Sequence, residues 1–285
     1  MLRGGTRLGP YVVDRRVAVG GTSDVYRARH RERDAWVAVK TLSQSASLQV
    51  ELVARFLNEA EMLLKLQHPF MVRGLEVGTL PDAALPYLVL EWLPSGLHLL
   101  LKERGGCLPL RECLQVLSQL ARVLLYLHEQ GVIHRDLKPE NVLMACTEPG
   151  ALEVRLIDLG LARLVPGEVA QPPALQVSTA RDALLGTGEY MAPEQWISPK
   201  GVDPKVDVYS LGVLGFVLVV GELPFNASSL GQLNYLHEYV QPPLHRLDGL
   251  VPESLRTLLG AMLSKKAGER PWMAEVVRAL DAVSP

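Results

Sequence analysis

The chain has 285 residues, 48% hydrophobic and 21% charged, so its composition is that of a globular protein and excludes disordered and collagen-like classes. A formal net charge of -2 gives no overall attraction to nucleic acid, which is therefore not an expected partner. The 3 cysteines form no C-x-x-C pair, so neither a zinc site nor a disulfide framework is indicated, and a reducing cytoplasm fits best.

Residues 1–91 are predicted to form mainly short strands. The predicted strands are rich in β-branched and aromatic residues and are separated by turn formers; they are Tyr11 to Val19, Val25 to His30, Trp36 to Thr41, Met71 to Gly78 and Pro86 to Glu91. One helix is expected between Leu48 and Gln67, because Leu52, Phe56 and Leu63 recur there at helical spacing.

From residue 92 onwards, long helical patterns dominate. They cover Leu110 to Glu129, Lys205 to Val220, Leu230 to Val240, Ser254 to Leu263 and Trp272 to Val283. The most apolar run, Leu211 to Val220, is shorter than the ~20 residues that cross a bilayer, so we expect a buried core helix and no membrane segment. The sequence predicts an α+β fold with a small β-rich lobe at 1–91 and a larger helical lobe at 92–285.

The strongest chemical signal is HRDLKPEN at His134 to Asn141. Asp136 can orient an attacking hydroxyl and accept its proton, Lys138 can neutralise phosphate charge, and Asn141 can ligate Mg²⁺. Each residue alone is more often a solvated or capping group, but a match over the whole segment reverses those odds. The spacing is that of a protein-kinase catalytic loop, so the chain resembles the protein kinase family.

The resemblance extends from Tyr11 to Val283. It implies the bilobal protein-kinase fold and ATP- and Mg²⁺-dependent phosphoryl transfer, with Mn²⁺ as an alternative ion. Two features resemble those of serine/threonine kinases: Lys138, and Gly186-Thr187 ahead of Ala192-Pro193-Glu194. Several segments, such as GTGEYMAPEQ, resemble bacterial members of that group. The expected substrates are therefore serine and threonine hydroxyls of proteins, with Thr187 positioning the substrate.

Lys40, in the segment V-A-V-K, resembles the lysine that grips the α- and β-phosphates of ATP. Its expected partner is Glu59, a carboxylate in the apolar stripe of the predicted helix, where an unpaired charge would be costly. Glu61 is the alternative partner of Lys40.

Asp158, in the sequence I-D-L-G, resembles the metal-binding aspartate of the D-F-G motif, with Leu159 in place of phenylalanine. The resemblance therefore assigns Mg²⁺ to Asn141 and Asp158.

The loop expected to cover the nucleotide is the weakest match. Of the glycines in G-x-G-x-x-G-x-V, only the middle one, Gly20, is kept, and small residues, Ala18 and Ser23, replace the others. Tyr87 to Leu93 resembles the hinge that contacts adenine, with Leu90 as gatekeeper. The residues that the resemblance assigns to ATP are Ala18, Val19, Gly20, Gly21, Ser23, Val25, Ala38, Lys40, Leu90, Glu91, Leu93, Asn141, Leu143 and Asp158.

Further matches are structural. The resemblance pairs Arg270 with Glu194 and has Asp207 hold the catalytic loop, although Asp207 could also be only a helix-terminal acid. His134 is expected to pack in the core and not to act as the base. We consider His134 the less favoured candidate for that role, behind Asp136.

Regulation is predicted in the long segment between Asp158 and Glu194, which has no clear helical or strand period and is expected to be mobile. A phosphate on Thr179 or Ser178 would carry charge that Arg135 could bind, and this would order the segment. The chain itself is thus an expected substrate. The alternative is that both hydroxyls belong to ordinary loop residues.

Two other function classes compete with an active protein kinase. A binding-only pseudokinase is favoured by Ala18, Ser23 and Leu159, but the retained ionic residues argue against it; these are Lys40, Glu59, Asp136, Asn141 and Asp158. A small-molecule kinase is disfavoured by the segment from Gly186 to Glu194, which resembles a peptide-docking region. A homodimer is one further partner that we consider.

Overall fold

The computed structural model describes residues 2–80, 85–145, 152–159, 163–164, 188–197 and 203–283. The chain divides into two compact units, one of Met1–Pro94 with Asp158–Gly160 and the other of Ser95–Ile157 with Leu161–Pro285. The division therefore falls between residues 94 and 95, where the sequence placed it between 91 and 92. A short segment from later in the chain also belongs to the first unit.

In its described residues, the first unit is a six-stranded antiparallel sheet with one α-helix. Its elements are β1 Arg7–Leu8, β2 Tyr11–Val19, β3 Ser23–His30, β4 Trp36–Leu42, α1 Val50–Lys65, β5 Gly74–Thr79 and β6 Pro86–Glu91. The strand order is β1-β2-β3-β4-β6-β5. One face of the sheet is a packed apolar core that includes Tyr26, Val39 and Val89, whose side chains are buried. The five predicted strands are confirmed, with small shifts at their ends.

Helix α1 begins later than the sequence predicted. Residues Ala46–Leu48 form a separate 3-10 turn, and Gln49 then adopts an extended backbone before the helix starts at Val50. Leu48 is 84% exposed, so this leucine does not belong to the apolar stripe. The stripe itself is confirmed at Phe56 and Leu63, which are buried.

The second unit is mainly helical in the part that the structure describes. Its helices are α2 Leu97–Glu103, α3 Leu110–Glu129, α4 Pro193–Ile197, α5 Lys205–Val220, α6 Leu230–Tyr239, α7 Glu253–Met262 and α8 Met273–Ala282. Its strands are β7 Ser95–Gly96, β8 Val132–Ile133, β9 Val142–Ala145, β10 Glu153–Leu156 and β11 Arg163–Leu164. They form a three-stranded sheet, β10-β9-β7, and the pair β11-β8.

Helix α5 is the centre of the second unit, and almost all of its residues are buried. Its glycines permit close packing, because a Cβ added at Gly215 would lie 2.6 Å from a methyl carbon of Leu259. The predicted buried helix is thus confirmed. In the described ranges of the chain, no helix is both long and apolar enough to span a bilayer.

A buried histidine in α6 makes the stability of this unit depend on pH. His237 is completely buried, and its Nδ1 lies 2.8 Å from the hydroxyl of Tyr209. Burial, together with the charge of Lys265, lowers the pKa of His237 to about 3. The side chain is therefore neutral in the folded protein at neutral pH.

We expect acid to destabilise the protein through this residue. An unfolded histidine binds a proton below its ordinary pKa of about 6.5, whereas folded His237 does not until about pH 3, so stability is lost as pH falls through this window. Between pH 7 and pH 5 the loss should be about 2 kcal/mol. Urea unfolding of wild type and His237→Gln at both pH values checks this. Replacement of the exposed His98 by glutamine should leave the loss unchanged, and an equal loss in His237→Gln would show that another group is responsible.

Candidate active site

In the first unit, Lys40 lies within reach of two carboxylates. Its Nζ is 2.7 Å from Oε1 of Glu59, which α1 presents from its buried face, and 3.5 Å from Oδ1 of Asp158. The alternative partner, Glu61, instead pairs with Lys65 on the surface at 2.6 Å. The predicted pairing of Lys40 with Glu59 is therefore confirmed.

Opposing effects act on the ammonium group of Lys40. Burial lowers the pKa of Lys40, but the charges of Asp158 and Glu59 outweigh that effect, and the pKa is raised overall. Lys40 is therefore a fixed cation in a partly desolvated position. Such a group can bind the phosphates of a nucleotide.

The strand register places several predicted nucleotide residues on the same face of the sheet. Val25 pairs with Lys40 across β3 and β4, and Ala38 pairs with Leu90 across β4 and β6. Because directly paired residues and alternate residues share a face, these four side chains lie on the face opposite the apolar core. Ala18 joins them through its pairing with Val25.

The predicted covering loop is the turn between β2 and β3. Val19 pairs with Asp24 on either side of it, and the N–H of Gly20 donates to the carbonyl of Ser23 at 2.8 Å. A Cβ at Gly20 would lie only 3.0 Å from that carbonyl oxygen, whereas one at Gly21 would meet nothing within 4 Å. Gly20, the one glycine of the family motif that this chain keeps, is thus at the position where a side chain would crowd the carbonyl of Ser23.

The predicted hinge, Tyr87 to Leu93, comprises most of β6 and the two residues that follow it. The N–H of Glu91 donates to the carbonyl of Arg73 at 3.0 Å, and the Glu91 carboxylate accepts from the N–H of Arg73 at 2.8 Å. The N–H of Glu91 is therefore occupied within the protein. An adenine contact at Glu91 would instead involve the carbonyl of Glu91. Leu93 is half-buried in the segment that follows.

In the second unit, the catalytic-loop residues form one hydrogen-bonded group. Nζ of Lys138 lies 3.0 Å from both carboxylate oxygens of Asp136. Nδ2 of Asn141 donates to Oδ2 of Asp136 at 2.9 Å and to its backbone carbonyl at 2.7 Å. Both amide hydrogens of Asn141 are used, so the atom left to ligate a metal is its oxygen. Leu143, in β9 just beyond the loop, is half-buried.

Asp207, at the start of α5, holds this loop in place. Its carboxylate is completely buried and accepts from the backbone N–H groups of His134 at 2.9 Å and Arg135 at 2.8 Å, and it contacts Nε2 of His128 at 2.8 Å. Burial raises the pKa of Asp207, but the hydrogen bond and charge of His128 help to lower it overall. The role predicted for Asp207 is confirmed, and a purely helix-terminal role is wrong.

Two site residues have a left-handed backbone that is uncommon outside glycine. Arg135 has a φ of 70° and Asp158 a φ of 68°. The hydrogen bond that the N–H of Arg135 donates to Asp207 stabilises the conformation at Arg135, and such backbone strain is concentrated at functional sites in proteins. His134 is buried, and its Nε2 lies 3.1 Å from the carbonyl of Ile157, so it packs structurally as predicted.

The predicted pair of Glu194 and Arg270 is also confirmed. Arg270 is completely buried, and its guanidinium binds the Glu194 carboxylate through two bonds, of 2.6 and 2.8 Å. It also donates to backbone carbonyls at Ser264, Lys205 and Lys265. All of its N–H donors are thereby used.

Several predictions lie outside the described residues, namely those for Ser178, Thr179 and Thr187. Sequence reasoning missed His128, and no motif marks it, because its contact with Asp207 joins residues far apart in the chain.

For the predicted metal residues, the donor set is a carboxylate at Asp158, whose side chain is 40% exposed, and the carboxamide of Asn141. Oxygen donors of this kind suit Mg²⁺.

The sheet with its ionic pair and the helical unit with its HRDLKPEN loop together define a protein kinase domain. The family model described as protein kinase domain matches residues 11–280, and the chain belongs to that family. The predicted fold class is therefore confirmed.

The chain is similar to curated bacterial serine/threonine-protein kinases. It is 36% identical to pkn2 of Myxococcus xanthus over 96% of this chain and 32% of that protein. It is 33% identical to PkaA of Streptomyces coelicolor over 96% of this chain and 50% of that protein. For PknB of Mycobacterium leprae, the identity is 30% over 91% of this chain and 40% of the relative. The chain thus spans about a third to a half of the length of these relatives.

Proposed function

We propose that this chain is an ATP- and Mg²⁺-dependent protein kinase that transfers the γ-phosphate of ATP to serine or threonine hydroxyls of proteins. The observation that carries the proposal is the group formed by Asp136, Lys138 and Asn141, in which Lys138 and Asn141 donate to Asp136 at 3.0 Å or less. The relatives' names support serine and threonine as acceptors.

Each protein group has a distinct role in this proposal. Asp136 orients the acceptor hydroxyl and takes its proton, while Lys138 lies beside it as a cation for the transferring phosphate. Lys40 binds the α- and β-phosphates, and Glu59 keeps the lysine in place. Asp158 and Asn141 would hold Mg²⁺, which supplies positive charge to the phosphates when bound.

The binding-only alternative receives little support from the departures in sequence. Leu159 is buried, so leucine occupies an apolar position there as phenylalanine would. Ala18 lies on the same sheet face as Val25, with no side chain large enough to obstruct a nucleotide. The ionic groups that handle phosphate are all present.

We further propose that Thr179 or Ser178 is autophosphorylated and that Arg135 binds the phosphate. Thr187 is proposed to position the acceptor hydroxyl. These roles rest on the family resemblance. A cytoplasmic location and a homodimer likewise stay predictions from the sequence.

ATP binding should need a divalent ion. Calorimetry should show a sharp loss of ATP affinity when EDTA replaces Mg²⁺, because carboxylate and phosphate repel one another without a bridging cation. Asp158→Asn should weaken Mg²⁺-dependent binding. Asp34→Asn is the matched control, since Asp34 also has a left-handed backbone but lies on the surface in an ion pair with Arg29. Equal ATP affinity with Mg²⁺ and with EDTA would favour a metal-independent binding protein instead.

A further inference from the structure

The turn that follows β4 contacts the predicted covering loop. The N–H of Ser43 donates to the carbonyl of Thr22 at 2.9 Å, and the Ser43 hydroxyl donates to the carbonyl of Gly21 at 3.3 Å. Both acceptors lie at the tip of the β2–β3 hairpin. Ser43 thus holds the tip of this loop by its backbone and by its side chain.

The same hydroxyl also contacts the turn that leads into α1. The N–H of Ala46 donates to Oγ of Ser43 at 3.3 Å, and Oγ of Ser45 lies 3.3 Å away. A hydroxyl has one hydrogen and two acceptor lone pairs. One arrangement satisfies every contact: Ser45 and Ala46 donate to Ser43, and Ser43 donates to Gly21.

Ser43 therefore connects the loop to the elements that place the ionic pair. It follows Lys40 by three residues, and its carbonyl accepts from the N–H of Ser47 at 2.9 Å in the segment before α1, which carries Glu59. Ser43 thus joins the covering loop to the end of the lysine strand and to the turn that precedes the glutamate helix.

We infer that Ser43 is a positioning residue that latches the covering loop for nucleotide binding. This inference rests on the proposed function, because it takes the β2–β3 turn to cover ATP. This chain keeps only the middle glycine of the loop motif. The hydrogen bonds of Ser43 restrain the tip of the loop, so ATP has to order less of the loop when it binds. Loss of the hydroxyl should weaken ATP binding while leaving Asp136 and its neighbours unaffected.

The test compares serine variants in one segment. Ser43→Ala removes the bond to Gly21 together with the contacts from Ser45 and Ala46, whereas Ser47→Ala removes only a bond to the carbonyl of Gln44 within the same turn. Ser43→Thr keeps the hydroxyl and serves as the conservative rescue. Calorimetry with ATP and Mg²⁺ should show about two- to tenfold weaker affinity for Ser43→Ala alone, the range expected for one hydrogen bond. The KM for ATP should rise with little change in kcat.

A second measurement does not depend on nucleotide. In the ATP-free protein, hydrogen exchange of the Gly20 amide, which donates to the carbonyl of Ser23 within the loop, should be faster in Ser43→Ala than in wild type, and unchanged in Ser47→Ala. Equal exchange and equal ATP affinity in wild type and Ser43→Ala would overturn the latch. If wild type bound no ATP, the proposed function would fail, and the exchange rates would still decide whether Ser43 restrains the loop.

Discussion

Asp136→Asn should lower kcat for phosphoryl transfer by about 10²- to 10⁴-fold, the usual contribution of a positioned general base. The substitution keeps the shape of the side chain but removes the charge that Lys138 contacts at 3.0 Å through both oxygens. An amide cannot accept the proton of the attacking hydroxyl. The rate of protein phosphorylation at saturating ATP measures the effect directly.

The fold should survive this change, and circular dichroism with a thermal melt checks that it does. Glu129→Gln is a control, because that carboxylate is exposed at the end of α3. Lys40→Met should also abolish transfer, since the lysine orders the phosphates. Turnover at the wild-type rate in a folded Asp136→Asn protein would remove Asp136 from the role of base.

Arg270→Ala should destabilise the second unit by about 3–5 kcal/mol, the typical result of removing one partner of a buried ion pair. The arginine is completely buried, and its loss leaves the Glu194 carboxylate and the carbonyls at Ser264, Lys205 and Lys265 without their donors. It also removes packing against the ring of Tyr209, 4.9 Å from the guanidinium carbon. Chemical unfolding provides the measurement.

An exposed arginine supplies the comparison for this loss. Arg122 binds Asp281 at 2.6 Å, as short as the bond from Arg270 to Glu194, but the side chains of Arg122 and Asp281 are each 45% exposed. Arg122→Ala should therefore cost less than about 1 kcal/mol. Similar losses in the two variants would mean that burial is not what makes the Arg270 pair strong.

Local patterns in the sequence were sufficient for the long elements. β2, β6, α3 and α5 have the bounds that apolar periodicity and turn residues predicted. The β-like stretch expected at Val142 to Met144, after the catalytic loop, is β9, whereas helix α2, Leu97–Glu103, and the two-residue strands β7, β8 and β11 were not predicted. Their few residues carry too little periodicity, and pairing with neighbours such as β9 and β10 decides their structure.

The start of α1 shows a similar limit. Leu48 has the spacing of a stripe residue, but the extended backbone at Gln49 separates it from the helix and leaves it exposed. Spacing cannot reveal such a break when both neighbouring segments are helical turns. The predicted core of the helix was nevertheless correct.

At the site, motif spacing was enough to predict the ionic residues. The pairing of Lys40 with Glu59 followed from a charge in an apolar stripe, and the catalytic-loop group followed from an eight-residue match. His128 and Ser43 could not be found in this way. Each acts through hydrogen bonding to a distant part of the chain, which only the folded structure shows.

The most direct test of the central claim is transfer of labelled phosphate. Purified protein should be incubated with γ-labelled ATP, Mg²⁺ and an unstructured protein that contains serine, threonine and tyrosine, beside Asp136→Asn. We predict label on serine or threonine of the added protein and of the chain itself, with Ser178 or Thr179 among the mapped sites, and almost none with the variant. No label, label on tyrosine alone, or equal label from wild type and Asp136→Asn would contradict a serine/threonine kinase.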